Sequence, residues 1–175
     1  MFTCHDYGFM RQLRFRYQYR RKLPHFQSNG NGYFLTSSVK RHPDSGLPII
    51  YPYALSDDRI AVKVMQTIKH FDRKMYHLDA CVIMPDHLHM LIHPAVQMDT
   101  SVSLTHIMHT IKRITARRVN RVRHAEGSIW QQEYYDRRIR SEEDRSRVLQ
   151  YIYENPLHRG LVSDPEEWQW MYFCE

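Results

Sequence analysis

Cysteine is scarce in this chain of 175 residues, and long apolar runs are missing altogether. Cys4, Cys81 and Cys174 are odd in number, widely spaced and form no CxxC pair. That argues against a disulfide framework and a zinc knuckle, and reads as free thiols in a reducing compartment. No segment approaches the ~18 consecutive apolar residues that a membrane span needs. The opening MFTCHDYGFMRQLRFRYQYRRK lacks the apolar stretch of a secretory signal, so a cytoplasmic protein without a membrane partner is expected. Internal repeats and low-complexity segments are also lacking. Acidic residues are in deficit: 25 Lys and Arg face 19 Asp and Glu, giving a formal charge of +6 and a pI near 9.3. Such a balance favours a polyanionic partner, nucleic acid before anionic lipid.

The length suits one domain with an added arm. Residues 1–31 form the arm, in which Arg11, Arg14, Arg16, Arg20, Arg21 and Lys22 alternate with Phe9, Leu13, Phe15, Tyr17 and Tyr19. It reads either as a solvated terminus or as a segment that contacts phosphates and stacks bases. From GYFLTSSVK (32–40), aromatic and β-branched content predicts a strand. A Pro- and Gly-rich loop follows. Ile60, Val64, Ile68 and Phe71 then recur at helical spacing, with Ser56 or Asp57 as cap. KMYHLDACVIM (74–84) and HLHMLIHP (87–94) are predicted as an antiparallel pair joined by the Pro85-Asp86 turn.

A helix is expected over 101–120, its apolar stripe made by Leu104, Ile107, Met108, Ile111, Ile114 and Val119. Lys112, Arg113, Arg117, Arg118, Arg121 and Arg123 crowd its second half with no acid among them, which reads as a solvated face or as a nucleic-acid contact. SIWQQEYYDRRIR (128–140) is predicted as a fourth strand. Ser141 caps a last helix that should end near Glu154, because Pro156 disfavours helical geometry at Asn155. Strand–helix–strand–strand–helix–strand is the order of an α+β, ferredoxin-like fold. Its antiparallel sheet carries two helices on one face, which leaves the other face for the extra C-terminal helix. The domain is set at 32–162 and the tail at 163–175.

The stretch MPDHLHMLIHP poses the functional question. Alternation along a strand puts Leu88, Met90 and Ile92 on one face, and His87, His89, Leu91 and His93 on the other. The aliphatic set belongs under the crossover helices, so the histidines look out from the opposite face. Two imidazoles at i and i+2 can share one metal ion; they can equally be hydrogen-bonded packing residues. Leu91 stands where a metallo-β-lactamase-type hydrolase has aspartate, which disfavours that class, and His93 is read as structural. On the last helix Tyr151 and Asn155 are one turn apart on one face. Laid over the histidines, Asn155 offers a carbonyl oxygen as third ligand, and Tyr151 offers a phenol that is either packing or nucleophilic. Mixed N/O ligation with open positions suits Mg²⁺ or Mn²⁺. A tyrosine nucleophile conserves the energy of a broken phosphodiester for rejoining.

VIMPDHLHMLIHP, SIWQQEYYDRRIR and YIYENPLHRGLV in this order resemble the single-tyrosine HUH transposases and, within them, the REP-associated tyrosine transposases of bacteria. The resemblance covers roughly residues 32 to 162. It implies His87 and His89 as metal ligands, Tyr151 as nucleophile and Asn155 as the residue completing the metal site. It implies an enzyme that nicks and joins single-stranded DNA beside palindromic hairpins through a 5′-phosphotyrosine, working as a monomer or homodimer and associated with the nucleoid. Arg137 departs from the pattern, since many relatives carry histidine there. Two other readings stay open: a DNA-binding regulator of repeated palindromes without catalysis, and a metal-dependent nuclease that uses water.

Overall fold

The computed structural model describes residues 30–97 and 100–174. The basic-arm residues Arg11, Arg14, Arg16, Arg20 and Arg21 lie outside that range. Five antiparallel strands form the main sheet: β1 (Tyr33–Ser38), β2 (Tyr76–Ile83), β3 (His87–Pro94), β6 (Tyr135–Arg138) and β7 (Met171–Phe173), in the spatial order β6-β1-β3-β2-β7. A two-stranded ribbon, β4 (Val96–Gln97) with β5 (Thr100–Ser101), leads out of β3. The helices are α1 (Asp58–Phe71), α2 (Leu104–Arg123) and α3 (Glu142–His158), with a short 3₁₀ turn at Pro165–Glu167. The first four strands and first two helices follow the expected ferredoxin-like order, with α3 added.

Each face of the sheet has its own core. Tyr33 and Leu35 of β1, Leu88, Met90 and Ile92 of β3, and the apolar stripes of α1 and α2 make the larger cluster. Phe34, Ala80, Val82, Met84 and Leu91 pack on the other face against Val148 and Ile152 of α3. Parity along β3 is therefore as its sequence prescribes. In β2 it changes partway. Leu78 pairs with Ile92 and Ala80 with Leu91, so Asp79 is an extra, bulged residue. Tyr76 and Leu78 before the bulge, and Cys81 and Ile83 after it, thus share the α1/α2 face.

Of the two caps expected for α1, Asp57 serves, its carboxylate accepting from the Arg59 backbone N–H at 3.0 Å. Three boundaries differ from the sequence expectation, each for a local reason. Helix α2 begins at Leu104 because Ser103 is its cap, accepting from His106 N–H at 3.1 Å. The fourth strand spans only Tyr135–Arg138 rather than 128–140, with Trp130 as an isolated bridge to Val39. The carbonyls of Gln131, Gln132 and Glu133 are turned onto Lys112 Nζ, at 3.1, 3.2 and 3.1 Å, and are withdrawn from the ladder. Last, α3 does not stop before Pro156 but runs through it to His158. Asn155 and Pro156 are both buried, and that packing overrides the backbone bias against helix before proline.

Helix α3 is fastened to the sheet by two ion pairs besides its apolar stripe. Arg145 Nε donates to Asp79 Oδ2 at 2.8 Å, and His93 Nε2 lies 3.2 Å from the same oxygen. Arg137 Nη1 donates to both oxygens of Asp144, at 2.8 and 2.9 Å. Burial works against the charge on Asp79, yet His93 and Arg145 hold its pKa below the ordinary carboxylate value. A carboxylate lowered in the folded state contributes stability that is complete above its unfolded pKa of ~3.9, and loses it as pH falls through the folded value. Asp79→Asn is therefore expected to destabilise by ~1–3 kcal/mol near neutrality. In paired thermal melts, the gap from wild type should close below about pH 4.

Candidate functional site

The site forms where the β2–β3 turn meets the middle and end of α3. His87 and His89 are 8 % and 2 % exposed, and their rings stand 4.7 Å apart, centroid to centroid. Both rings are held through Nδ1. His87 Nδ1 lies 2.7 Å from Asp86 Oδ1, and His89 Nδ1 lies 2.8 Å from Thr36 Oγ1. When those nitrogens carry the protons, both Nε2 atoms present lone pairs. Thr36 is delivered by the pairing of β1 with β3, where it stands directly opposite His89.

Helix α3 completes the arrangement from above. The Tyr151 ring lies 5.3 Å from that of His89 and 5.8 Å from that of Phe34, edge-on to both, while Phe34 stacks on His89 at 5.1 Å. Asn155 follows one turn later and is 4 % exposed. Tyr153 points elsewhere, against Phe173 of β7 at 6.1 Å. The rings of His87, His89 and Tyr151 thus meet within one chain, and Asn155 stands one helical turn beyond Tyr151 on α3.

Two atoms stand out by what they lack. His89 Nε2 and Asn155 Oδ1 are buried and make no hydrogen bond. Leaving a buried acceptor unsatisfied costs ~1–3 kcal/mol. Both are donors that a divalent cation accepts. Among the described residues, no three His, Cys, Asp or Glu side chains converge. A cation here would therefore need the asparagine oxygen as its third protein ligand, and the residues fit one on those terms. Burial, then the charges of His87 and Arg159, lower the His89 pKa well below its ordinary value, so the ring stays neutral and available as a ligand at neutral pH.

The sequence pointed to Asp86 only as a turn residue. In the structure it is the hub of the site's charge. Arg41 Nη2 donates to its Oδ2 at 2.8 Å, and Arg159 Nη2 lies 3.6 Å from its Oδ1. The His87 hydrogen bond first, then the nearby positive charges of His87, Arg159 and Arg41, lower its pKa in spite of burial. Arg159, which caps the C-terminal end of α3, continues the four-residue spacing of Tyr151 and Asn155. That spacing was readable in the sequence. The partnership of Thr36 with His89 was not, because it depends on strand register.

The basic residues of α2 divide. Lys112 is held by three carbonyls and lies 5.2 Å above the Tyr134 ring; burial pushes its pKa down to about 8. Arg118 donates to Thr67 Oγ1 at 3.0 Å, and Arg123 donates to Asn120 Oδ1 and the Ile49 carbonyl at 3.0 and 2.6 Å. These three of the six expected DNA contacts are engaged in holding the fold together. Arg113, Arg117 and Arg121 are exposed. All six lie on the helix that covers the sheet face opposite the histidines.

A sheet that sets two histidines beside a helix-borne tyrosine can now be placed among known proteins. The family described as transposase IS200 like matches residues 51–155, well over half of the chain, and the chain belongs to that family. It is 27 % identical over 114 residues to a Haemophilus influenzae protein described as a REP-associated tyrosine transposase. That match covers 62 % of this chain and 63 % of the relative, so the chain spans less than two thirds of that protein's length. A solved REP-associated tyrosine transposase, bound to a REP hairpin, shares the fold with a TM-score of 0.62 at 17 % identity, over 86 % of this chain and 81 % of that one. A solved protein of Deinococcus radiodurans, described as a transposase, gives a TM-score of 0.39 at 21 % identity, over 77 % and 96 % of the two chains. No helix among the described residues is long and apolar enough to cross a membrane.

Proposed function

We propose that this chain is a DNA strand transferase that cleaves single-stranded DNA beside palindromic hairpins, with Tyr151 as nucleophile and His87, His89 and Asn155 as ligands of Mg²⁺ or Mn²⁺. The observation that carries this reading is the pair of orphaned buried acceptors, His89 Nε2 on the ring beside Tyr151 and Asn155 Oδ1 one helical turn beyond Tyr151. Packing requires neither acceptor to be left bare. Membership in a transposase family supports the same reaction class, and the hairpin bound by the solved relative supports the substrate.

A bound divalent cation would polarise the scissile phosphate and neutralise charge developing on its oxygens. The remaining work falls to the chain. Phe34 and His89 hold the Tyr151 ring on two sides, which fixes the direction of its oxygen. That oxygen forms a bond to phosphorus and yields its proton to solvent. The bond from phosphorus to the 3′ oxygen breaks, and the 3′ oxygen leaves protonated. The product is a 5′-phosphotyrosine and a free 3′-OH, and attack by a 3′-OH reverses the step and joins strands. Arg159 places positive charge beside the histidines, where the phosphate would sit. Asp86 orients His87 and restrains Arg159 and Arg41. Its removal should weaken Mn²⁺ binding ~10–100-fold. Isothermal titration of Asp86→Ala with Mn²⁺ measures this, and unchanged affinity would remove Asp86 from the account.

Incubation of the protein with hairpin-bearing single strands and Mn²⁺ tests the function. An SDS-resistant protein–DNA adduct is the expected product. Cleavage with no adduct would favour a water nucleophile, and binding without cleavage in any metal would favour a regulator. With the site complete in one chain, adduct formation should be first order in protein.

A further inference from the structure

The His89 ring is gripped by two side chains of β1, and they do different work. Phe34 stacks on it, with ring centroids 5.1 Å apart and planes inclined by 24°. Thr36, on the same face of the sheet, sets its Oγ1 2.8 Å from His89 Nδ1. We propose that Thr36 is a positioning residue of the site: its hydroxyl accepts the proton on His89 Nδ1, which fixes both the tautomer of the ring and the direction in which the bare Nε2 points. The inference rests on the reading of His89 as a cation ligand given above, and adds the residue that makes its nitrogen available.

Stacking alone leaves the ring's direction undecided. A half-turn about the Cβ–Cγ bond returns an imidazole to the same plane, so the contact with Phe34 hardly changes. The half-turn exchanges Nδ1 with Cδ2 and Nε2 with Cε1. Only a partner that tells nitrogen from carbon at the near edge of the ring separates the two states, and Thr36 Oγ1 is such a partner. Strand register delivers it, because Thr36 stands directly opposite His89 in the β1–β3 ladder. The next residue, Ser37, pairs with Leu88 on the α1/α2 face, where its hydroxyl is buried and without a partner.

The far edge of the ring says where the proton sits. A neutral imidazole carries one N–H, and a threonine hydroxyl can donate or accept. His89 Nε2 is buried with no hydrogen-bond partner. A proton on Nε2 would bury an N–H with nothing to accept it, which folded proteins avoid more strictly than a bare acceptor. A proton on Nδ1 meets Thr36 Oγ1 and leaves over only a lone pair. The two histidines thus reach one tautomer through different partners. His87 Nδ1 faces the Asp86 carboxylate, which as an anion only accepts. His89 Nδ1 faces a neutral hydroxyl, and both Thr36 and His89 are buried. A carboxylate in that interior would carry the desolvation cost of a buried charge, which a hydroxyl avoids.

Long-range ¹H–¹⁵N NMR of the metal-free protein reads which nitrogen holds the proton, the His89 signal being the one missing from His89→Ala. Wild type should hold it on Nδ1. Thr36→Val keeps the β-branched shape and loses the hydroxyl, and a share of its His89 rings should hold the proton on Nε2. Isothermal titration with Mn²⁺ should give an affinity ~10–100-fold weaker for Thr36→Val, and within about threefold of wild type for Thr36→Ser. Ser37→Ala removes a buried hydroxyl from the other face of the same strand and should match wild type in both measurements. A proton on Nε2 in wild type, which needs no variant to fold, overturns the proposal. So does Mn²⁺ affinity in Thr36→Val equal to that of wild type. If Mn²⁺ binding is lost in His89→Ala and kept in Thr36→Val, the cation reading stands and Thr36 is dismissed. If wild type binds no Mn²⁺ while its proton sits on Nδ1 and moves in Thr36→Val, the cation reading falls and Thr36 still sets the ring.

Discussion

Tyr151→Phe is expected to abolish the covalent protein–DNA adduct and to lower strand cleavage by three to six orders of magnitude, the range seen when a covalent nucleophile is removed. The substitution deletes one oxygen. The ring keeps its place against Phe34 and His89, at 5.8 and 5.3 Å in wild type, so the fold and the affinity for DNA should hardly change. Tyr153→Phe is the matched control. Its ring lies against Phe173 on the far side of α3, and its loss should leave adduct formation within about twofold. Gel analysis after SDS treatment reads both variants. A Tyr151→Phe protein that still cleaves at the wild-type rate would show that water or another residue attacks.

His89→Ala is expected to remove the stabilisation that a divalent cation gives the wild-type fold. A ligand present at ~100 times its Kd stabilises the folded state by ~2.7 kcal/mol. For a chain of this size that is a rise in Tm of roughly 5–10 °C on adding Mn²⁺. The rise should be absent in His89→Ala and reduced in Asn155→Ala, because these side chains carry the two unsatisfied buried acceptors. Differential scanning calorimetry with and without Mn²⁺ measures it independently of any DNA chemistry. Cleavage should fall with the Tm shift, while most of the DNA affinity persists, since that is assigned to lysines and arginines away from the histidines. An equal Mn²⁺ shift in wild type and His89→Ala would exclude the histidine pair as the cation site.

The ferredoxin-like core and the placing of the histidine pair beside Tyr151 were readable in the sequence because they follow from short-range periodicity. Alternation along β3 sends His87 and His89 to one face and Leu88, Met90 and Ile92 to the other. Four-residue spacing on α3 aligns Tyr151 with Asn155. What the sequence hid depends on contacts between distant segments. Asp79 is a bulge only because β2 and β3 pair in a particular register. The strand expected from 128 begins at 135 because Lys112, about twenty residues upstream, draws three carbonyls out of line. Composition counted Lys112, Arg118 and Arg123 as candidate DNA contacts, and tertiary hydrogen bonds turn them inward. In the tail, β7 pairs with β2 as an edge strand, a role that periodicity over three residues cannot reveal.

The most direct measurement is the site of covalent attachment. Adducts formed with a hairpin-bearing strand and Mn²⁺ can be digested with nuclease and trypsin and sequenced by mass spectrometry. Cleavage after Arg147 and Arg159 releases VLQYIYENPLHR, which holds both tyrosines of α3. The nucleotide is expected on Tyr151, with Tyr153 unmodified. A nucleotide on Tyr153 or on a tyrosine elsewhere, or efficient cleavage that leaves every tyrosine bare, would contradict a nucleophile seated beside the histidine pair.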